Sequence, residues 1–391
     1  MTRPAPPWRC RLFVVQPSPF CNLDCTYCYL PDRGNKARMD EPTLVRTLER
    51  LVESGLAQEQ VTLVWHAGEP LAVPVAWYRR AWELAEPILP KSLRVDESFQ
   101  TNGTLIDDRW CDWFLERGSY VGVSVDGPAV LNDKTRRTRS GRGTFERTLA
   151  GMRTLQRRGV DFHVISVLTS ESLEYADELY EFYVNHGIRR VGFNIEEQEG
   201  ENAGSTLLAE GTVERYRRFL ERFLERVTRE QGRLIVRELD GARDALLARP
   251  PPGVEPFNDQ AEPFAILSVA HDGSFTTFSP ELLGMSGEPY GSFTLGNVHR
   301  QGFLDVVDTP LFRALHGDIQ AGCQACKAEC SYWAFCGGGA PANKHYENGS
   351  MRSTSTLYCT LTRKVVTDVV LAHLERAVAA GARPAGAGAC P

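Results

Sequence analysis

Short apolar, β-branched runs alternate with segments of helical periodicity between residues 11 and 230. Six of these runs read as strands, at residues 11–18, 60–66, 93–100, 119–125, 160–168 and 189–195. Repeated strand–helix units favour a parallel sheet covered by helices. We therefore predict an α/β protein whose main body is a partial (β/α)6 barrel of the TIM type. The active site of such a barrel lies at the carboxyl ends of its strands.

The alternation stops near residue 249, where the run Arg-Pro-Pro-Pro-Gly indicates a linker. Residues 264–278 then predict a β-hairpin around an Asp-Gly turn, and this favours a turn role for Asp272 over a catalytic one. Residues 361–380 predict a closing helix, followed by a disordered tail. We divide the chain into a barrel (11–232), a bridging segment (233–262), a small cysteine-rich domain (263–378) and a tail (379–391).

Charge and hydropathy restrict the class of partner. The net charge is −6, from 44 basic and 50 acidic residues, which argues against a nucleic-acid partner because such binding needs a clustered positive field. The sequence has no apolar run of the length that crosses a membrane, and residues 1–9 lack the apolar core of a signal peptide. We expect a cytoplasmic protein with no membrane partner.

The eleven cysteines fall mostly into two groups. In a reducing compartment disulfides are rare, so clustered cysteines indicate metal binding or catalysis. The first group, Cys21, Cys25 and Cys28, follows the first predicted strand. The second group contains Cys323, Cys326, Cys330, Cys336 and Cys359. Three others, Cys10, Cys111 and Cys390, lie apart and need no special role.

Three thiolates on one loop can hold three irons of a [4Fe-4S] cluster and leave the fourth iron open to a ligand. The alternative is a zinc site that borrows a fourth ligand, although C-x3-C-x2-C is not a common zinc spacing. The motif, with Tyr27 before its last cysteine, resembles the signature of the radical S-adenosylmethionine (SAM) superfamily. The resemblance implies that Cys21, Cys25 and Cys28 ligate a cluster which splits SAM into methionine and a 5′-deoxyadenosyl radical.

Further motifs follow later strands in order. Ala67-Gly68-Glu69-Pro70 resembles the Gly-Gly-Glu-Pro motif of the superfamily, in which a glycine permits close approach and the glutamate accepts from the SAM ammonium. Gln100-Thr-Asn-Gly, Ser124-Val-Asp-Gly and a downstream arginine resemble its remaining motifs. The SAM contacts implied are Tyr27, Gly68, Glu69, Asn102, Ser124 and Arg136. For Asn102 and Asp126, tight Asn-Gly and Asp-Gly turns are an equal explanation.

The second cysteine group, with the hairpin before it, resembles the SPASM extension of radical SAM peptide-modifying enzymes. A full extension carries two clusters, yet five thiols cannot supply two [4Fe-4S] clusters that need four each. We therefore predict one auxiliary cluster. Alignment on Cys336-Gly-Gly-Gly implies the ligands Cys326, Cys330, Cys336 and Cys359. Cys323 would then be spare, although its C-x2-C spacing to Cys326 keeps the other pairing open.

Residues 332–359 most resemble the maturases of glycine-rich-repeat peptides, some relatives of which form cyclophanes. The resemblance implies an enzyme that binds SAM and two [4Fe-4S] clusters, takes electrons from a reductant such as flavodoxin or ferredoxin, and acts on a ribosomally synthesised precursor peptide. It would abstract a side-chain hydrogen and install an intramolecular crosslink, here a C–C bond of the cyclophane type. One alternative is an anaerobic sulfatase-type maturase that generates formylglycine, against which the missing cysteines argue. The other is a non-catalytic zinc-binding protein.

Overall fold

The computed structural model describes residues 6–230, 232–248 and 253–381. Twelve short strands occur in this part of the chain: β1 (Leu12–Val15), β2 (Gln60–Trp65), β3 (Arg94–Thr101), β4 (Tyr120–Ser124), β5 (Phe162–Leu168), β6 (Arg190–Ile195), β7 (Ile235–Val236), β8 (Ile266–Val269), β9 (Ser274–Thr277), β10 (Ser286–Gly287), β11 (Gly291–Ser292) and β12 (Gly296–Asn297). Ten of them form one sheet in the order β12-β9-β8-β1-β2-β3-β4-β5-β6-β7, and β10 pairs with β11 separately.

Strands β1 to β7 run parallel to one another, with Leu12 opposite Thr62 at the start of the series. The first six of them fall on the six predicted runs. Strand β1 ends at Val15, earlier than predicted, because Pro17 has no N–H with which to continue the ladder. The predicted α/β fold class is confirmed.

Helices connect the parallel strands and pack on the sheet. In the described residues they are α1 (Glu41–Ser54), α2 (Val75–Ala85), α3 (Asp108–Arg117), α4 (Ala129–Thr135), α5 (Phe145–Arg158), α6 (Ala176–Asn185), α7 (Thr212–Arg229), α8 (Arg237–Leu247), α9 (Pro310–Glu329), α10 (Trp333–Cys336), α11 (Pro341–Asn348), α12 (Leu357–Cys359) and α13 (Val366–Ala379). Within those residues, none of these helices combines the length and the apolar character that crossing a membrane requires.

Local sequence signals set the ends of these helices. Helix α1 begins where the Asp40 carboxylate accepts a hydrogen bond from the Thr43 backbone N–H at 2.8 Å, which satisfies one of the free donors of the first turn. It ends at Gly55, whose φ of 66° is left-handed and therefore suits glycine. Helix α7 buries an aromatic stripe that includes Tyr216, Phe219 and Phe223, as its periodicity predicts.

The predicted hairpin is present, but it is not separate from the barrel. Strands β8 and β9 pair antiparallel, as predicted. Strand β8 also pairs parallel with β1, with Leu12 opposite Ile266. The proposed boundary at residue 263 therefore crosses one continuous sheet, so the hairpin continues the barrel wall towards the cysteine-rich region.

The connecting segments contain more regular structure than the sequence indicated. The proposed bridging segment includes β7 and α8, and the predicted closing helix begins as a π-helical turn, Thr360–Val365, before it becomes α13. The predicted linker at residues 249–252 and the tail from residue 382 onward lie outside the described residues.

A buried carboxylate organises part of the core. Glu97 in β3 is 3% exposed, and its Oε1 accepts hydrogen bonds from the indole N–H groups of Trp65 at 2.8 Å and Trp82 at 2.6 Å. Ser119 donates to the other oxygen. A buried carboxylate is tolerated when such donors replace water, and this one joins β2, α2 and β3.

Candidate active site

A cavity of about 420 Å³ lies at the carboxyl ends of the parallel strands. We call it the barrel cavity. The loops that follow β1, β2, β3, β4 and β6 line it, and so do all the residues predicted for the cluster and for SAM: Cys21, Cys25, Tyr27, Cys28, Gly68, Glu69, Asn102, Ser124 and Arg136. The fold thus gathers side chains that are more than a hundred residues apart in the sequence.

The cysteine loop is held against the barrel by its backbone. Asp24 N–H donates to the Arg137 carbonyl at 2.7 Å, and Thr26 N–H donates to the Thr135 carbonyl at 3.0 Å. Burial raises the pKa of Cys21 to about 12 and that of Cys25 to about 11. The iron-free loop therefore keeps these thiols protonated, and cationic iron is what would favour the thiolates.

The donor set fits an iron–sulfur cube. A single metal ion needs three or more ligands that converge on one point. In residues 6–230, 232–248 and 253–381, no group of three or more His, Cys, Asp or Glu side chains is arranged in that way. A cube distributes its ligands over separate irons. It therefore needs thiols around a space, and Cys21, Cys25 and Cys28 stand around one end of the barrel cavity.

Asp126 joins the cysteine loop to the strands. Its carboxylate accepts hydrogen bonds from the Tyr27 hydroxyl at 2.5 Å, the Thr135 hydroxyl at 3.0 Å and the Val167 backbone N–H at 2.9 Å. Arg136 Nε lies 3.0 Å from the same carboxylate. Asp126 therefore does more than form the turn that its sequence context suggested, and Arg136 reaches the cavity with its charge already paired.

Glu69 is likewise held by the protein itself. It is 1% exposed, and its carboxylate accepts from Leu71 N–H at 2.9 Å, the Thr101 hydroxyl at 2.6 Å and Asn102 N–H at 2.8 Å. Burial raises its pKa to about 6. An ammonium contact, as predicted from the motif, would add to these three bonds, which tie the loop after β2 to the end of β3.

The backbone before Glu69 is left-handed at two successive residues. Ala67 has a φ of 65° and Gly68 a φ of 71°. A Cβ at residue 68 would lie 2.6 Å from the carbonyl oxygens of Ser18 and Phe20, so only glycine fits there. Ala67 bears the steric cost of this conformation, of order 1–2 kcal/mol, where the superfamily motif has a glycine.

Sequence reasoning missed one side of the barrel cavity. Four glutamates also line it, and we call them the carboxyl wall: Glu196, Glu197, Glu199 and Glu281. Three of them directly follow β6, so the rule that located the other motifs at strand ends would also have located these. His66 and Gln100 line the cavity too, and Gln100 donates to the Ser124 hydroxyl at 2.9 Å.

Three carboxyls of the wall, those of Glu197, Glu199 and Glu281, have raised pKa values and favour the protonated form. Burial and the nearby carboxyls of Glu281 and Glu347 raise the pKa of Glu197 to about 8, although Asn343 in α11 donates to it at 2.6 Å. Burial, followed by Glu281 and Glu197, also raises the pKa of Glu199. At neutral pH this side of the cavity therefore carries less negative charge than its composition suggests.

A second cavity of about 260 Å³ lies in the cysteine-rich region. We call it the auxiliary cavity. Four thiols line it, those of Cys326, Cys330, Cys336 and Cys359. They are the four that the Cys-Gly-Gly-Gly alignment implied, and they fit a cube with complete thiolate ligation.

Cys323 is not among the residues that line the auxiliary cavity, although its thiol lies near Cys326 and Cys336. It is 5% exposed and belongs to the apolar core, where a Cβ at Gly338 would come within 2.6 Å of its sulfur. Its place is therefore that of a small packing residue beneath the Gly-Gly-Gly turn. Cys10 and Cys111 are also buried in the core, and Cys390 lies outside the described residues.

The geometry agrees with the comparisons to known proteins. The family model described as "Radical SAM superfamily" matches residues 15–183. The uncharacterized protein sll1766 of Synechocystis sp. is 41% identical over 371 residues, which are 94% of this chain and 92% of that protein. A parallel α/β fold with a cysteine loop at its strand ends defines the class as SAM-dependent iron–sulfur enzymes. The chain belongs to the radical SAM superfamily, as its motifs predicted.

Other relatives match a part of the chain. The serine-type anaerobic sulfatase-maturating enzyme of Klebsiella aerogenes is 35% identical over 184 residues, 46% of this chain and 45% of that enzyme. The cysteine-type enzyme of Clostridium perfringens strain 13 is 27% identical over 186 residues, 46% of this chain and 50% of that enzyme. This chain's match covers about half the length of each of these enzymes.

Two solved structures share the fold over most of the chain. Histidine-tagged anSMEcpe with bound AdoMet has a TM-score of 0.75 at 22% identity and covers 95% of this chain and 96% of that chain. Streptococcus suis SuiB bound to the precursor peptide SuiA has a TM-score of 0.63 at 18% identity, with coverage of 90% and 76%. Both therefore carry the same fold into the cysteine-rich region.

The strained Ala67-Gly68 turn yields a first prediction. Ala67→Gly should raise the free energy of unfolding by about 1 kcal/mol because it relieves the left-handed alanine. Gly68→Ala should lower it by more than that, since the new Cβ meets two carbonyl oxygens. Urea denaturation of both variants measures the effect. A stabilised Gly68→Ala variant would contradict the geometry.

The carboxyl wall yields a second prediction. Glu197 titrates near pH 8 in the fold, against an ordinary value of 4.5, so between these values the folded chain binds one proton more than the unfolded chain. The stability due to this residue is present below about pH 4.5 and falls as the pH rises to about 8. Glu197→Gln should remove this loss, which is at most about 1.4 kcal/mol per pH unit.

Chemical denaturation at several pH values between about 5 and 8 measures the slope for the parent and the variant. Glu201→Gln is the matched control, because Glu201 is exposed to solvent and lies outside the lining of the barrel cavity. Equal slopes for the parent and Glu197→Gln would show that Glu197 titrates normally.

Proposed function

We propose that the chain is a peptide maturase that abstracts a side-chain hydrogen from a ribosomally made precursor peptide and closes an intramolecular crosslink, a C–C bond of the cyclophane type. The observation that carries the proposal is the auxiliary cavity with its four thiols, beside a barrel cavity arranged for SAM. One cluster and SAM would start the radical chemistry, and an auxiliary cluster suits a reaction that ends by removing an electron.

The cofactor sites follow from the cavity walls. Cys21, Cys25 and Cys28 would hold the SAM-cleaving [4Fe-4S] cluster, and Cys326, Cys330, Cys336 and Cys359 the auxiliary one. Bound SAM supplies a 5′-deoxyadenosyl radical when it receives an electron, for which flavodoxin or ferredoxin is the proposed donor. The protein's part is to fix the cysteine loop through Asp126, orient SAM with Glu69, Asn102, Ser124 and Arg136, and receive the substrate beside the carboxyl wall.

The carboxyl wall provides the base that ring closure needs. When a carbon radical joins an aromatic ring, the ring must lose one proton and one electron to become aromatic again. A general base works best when its pKa is near the operating pH, and the pKa of Glu197 is about 8. Glu197 is our candidate for the group that takes up the proton, and it acts in its ionised form, which is the minority form at neutral pH.

Relatives and neighbours support peptide as the substrate class. SuiB has been solved with its precursor peptide, and anSMEcpe with the Cp18Cys peptide. The sulfatase-maturating enzymes give a second candidate function, formation of formylglycine, which the 35% identity to the Klebsiella aerogenes enzyme favours. Against it stands the thiol count, since the second cysteine group holds five cysteines and a second auxiliary cube would need four more ligands.

A product analysis separates the two functions. The reconstituted enzyme, SAM and dithionite are incubated with an aromatic-containing precursor peptide encoded beside the gene and, separately, with a sulfatase peptide containing the modified serine or cysteine. We expect the precursor to lose two hydrogen atoms, to resist fragmentation between the joined residues and to give no aldehyde reaction. An aldehyde on the sulfatase peptide, with the precursor unchanged, would establish formylglycine formation instead.

The two cavities yield a third prediction, on metal content. The anaerobically reconstituted chain should hold about eight irons, from two complete cubes. Cys326→Ala should lose auxiliary iron and crosslinking because it removes a thiol from the auxiliary cavity. Cys323→Ala should keep both, since that thiol packs in the core. Both variants should still cleave SAM, whereas Cys25→Ala should not.

Iron analysis and 5′-deoxyadenosine formation under dithionite measure these outcomes. A count near twelve irons would contradict the single auxiliary cluster. Iron loss in Cys323→Ala with retention in Cys326→Ala would show that the C-x2-C pair, and not the Gly-Gly-Gly alignment, identifies the ligands.

A further inference from the structure

A buried lysine stands beside the auxiliary cavity. Lys344 lies in α11 and is 2% exposed. Its ammonium Nζ is 3.3 Å from the sulfur of Cys326, to which it donates. The close approach of α9 leaves little space around it, because a Cβ at Gly322 would lie 3.1 Å from Nζ.

Lys344 has no carboxylate partner. Throughout the described ranges, no Asp or Glu oxygen forms an ion pair with its ammonium, whereas the exposed Lys327 pairs with Glu255 at 2.7 Å. Burying an unpaired ammonium is costly, and a neutral thiol is only a weak acceptor. A negative charge at or near Cys326 would compensate this ammonium.

A cube held by four thiolates would supply that charge. Each thiolate is an anion, so the assembled site is negative overall, and it gains one more negative charge when the cube takes up an electron. A nearby positive charge stabilises the more negative state of the pair. Hydrogen bonds to the cysteine sulfurs are among the factors that set the potentials of such clusters.

Other contacts of Cys326 single out Lys344. The remaining neighbours of its sulfur are the carbonyl oxygens of Gly338 at 3.7 Å and Thr354 at 3.6 Å. Carbonyl oxygens accept hydrogen bonds and cannot stabilise a thiolate. At Cys359, the Thr356 backbone N–H donates to the sulfur at 3.3 Å, but it carries no net charge. Arg363 and Lys364 also line the auxiliary cavity, but among the described residues Lys344 is the cation recorded as donating to one of its sulfurs.

We propose that Lys344 is a positioning residue for the auxiliary cluster, and that its ammonium beside the Cys326 sulfur raises the reduction potential of the cluster. The inference rests on the auxiliary cluster of the proposed function. It adds a physical reason why the auxiliary cluster would accept an electron more readily with Lys344 in place than without it.

The test measures the potential of the auxiliary cluster alone. The full chain carries Cys21→Ala, Cys25→Ala and Cys28→Ala, so that the remaining iron is auxiliary, and the cluster is titrated with dithionite under redox mediators and followed by electron paramagnetic resonance. Lys344→Met should lower the midpoint potential of the cluster. At a fixed applied potential the ratio of reduced to oxidised cluster should fall at least tenfold, which corresponds to a shift of about 59 mV for one electron. Lys327→Met, which removes an exposed charge from the residue next to Cys326, should leave it unchanged.

Each result has a distinct meaning. If the Lys344→Met variant binds iron and its cluster has the parent's potential, the role of Lys344 is overturned and the proposed function is unaffected. Absence of iron from the triple-cysteine background overturns the auxiliary cluster itself, and the present proposal with it. If Lys344→Met is the one variant that loses iron, Lys344→Gln replaces it in the titration. Glutamine keeps an N–H donor but removes the charge. A Lys344→Gln variant with the parent's potential overturns the proposal.

Discussion

The carboxylate of Asp126 connects the reactive part of this protein to its scaffold. It is 4% exposed and receives Tyr27 from the cysteine loop, Val167 from β5 and the charge of Arg136. Burial also raises the pKa of Tyr27, so the hydroxyl keeps the proton that it donates. Because both carboxylate oxygens are engaged by these donors, the loop cannot move without exposing or unpairing a buried charge, which costs several kcal/mol.

The main sheet also relates the two cysteine regions to each other. Strand β1 leads into the cysteine loop, and on its other side it pairs with β8 of the hairpin that precedes the auxiliary region. Asn343, next to Lys344 in α11, donates to Glu197 behind β6. The auxiliary region is therefore attached to the barrel both through the main sheet and at a wall of the barrel cavity.

Sequence patterns predicted those features of the fold and the site that depend on residues close together in the sequence. The alternation of apolar runs with helical segments predicted the parallel strands. The spacing of Cys21, Cys25 and Cys28 predicted the cysteine loop at the end of the first strand. The sequence patterns did not predict contacts between residues that are distant in the sequence. Examples are the bonds of Glu69 to the end of β3, the indoles around Glu97, and the ammonium of Lys344 at Cys326. A polar residue in a sequence looks the same whether it will face water or a buried partner, and only the assembled fold distinguishes the two.

Charge balance explains why the barrel cavity can be acidic in composition and still receive an anionic cofactor site. Asp126 neutralises Arg136, so the arginine lines the cavity without adding net charge. Burial raises the pKa values of Glu197 and Glu199, so these carboxyls favour the uncharged form in a cavity that already contains several acidic groups. A substrate that brought a cation to this wall would reverse that shift and ionise it. The protonation of the wall, and with it the base that the proposed reaction needs, would then depend on which peptide is bound.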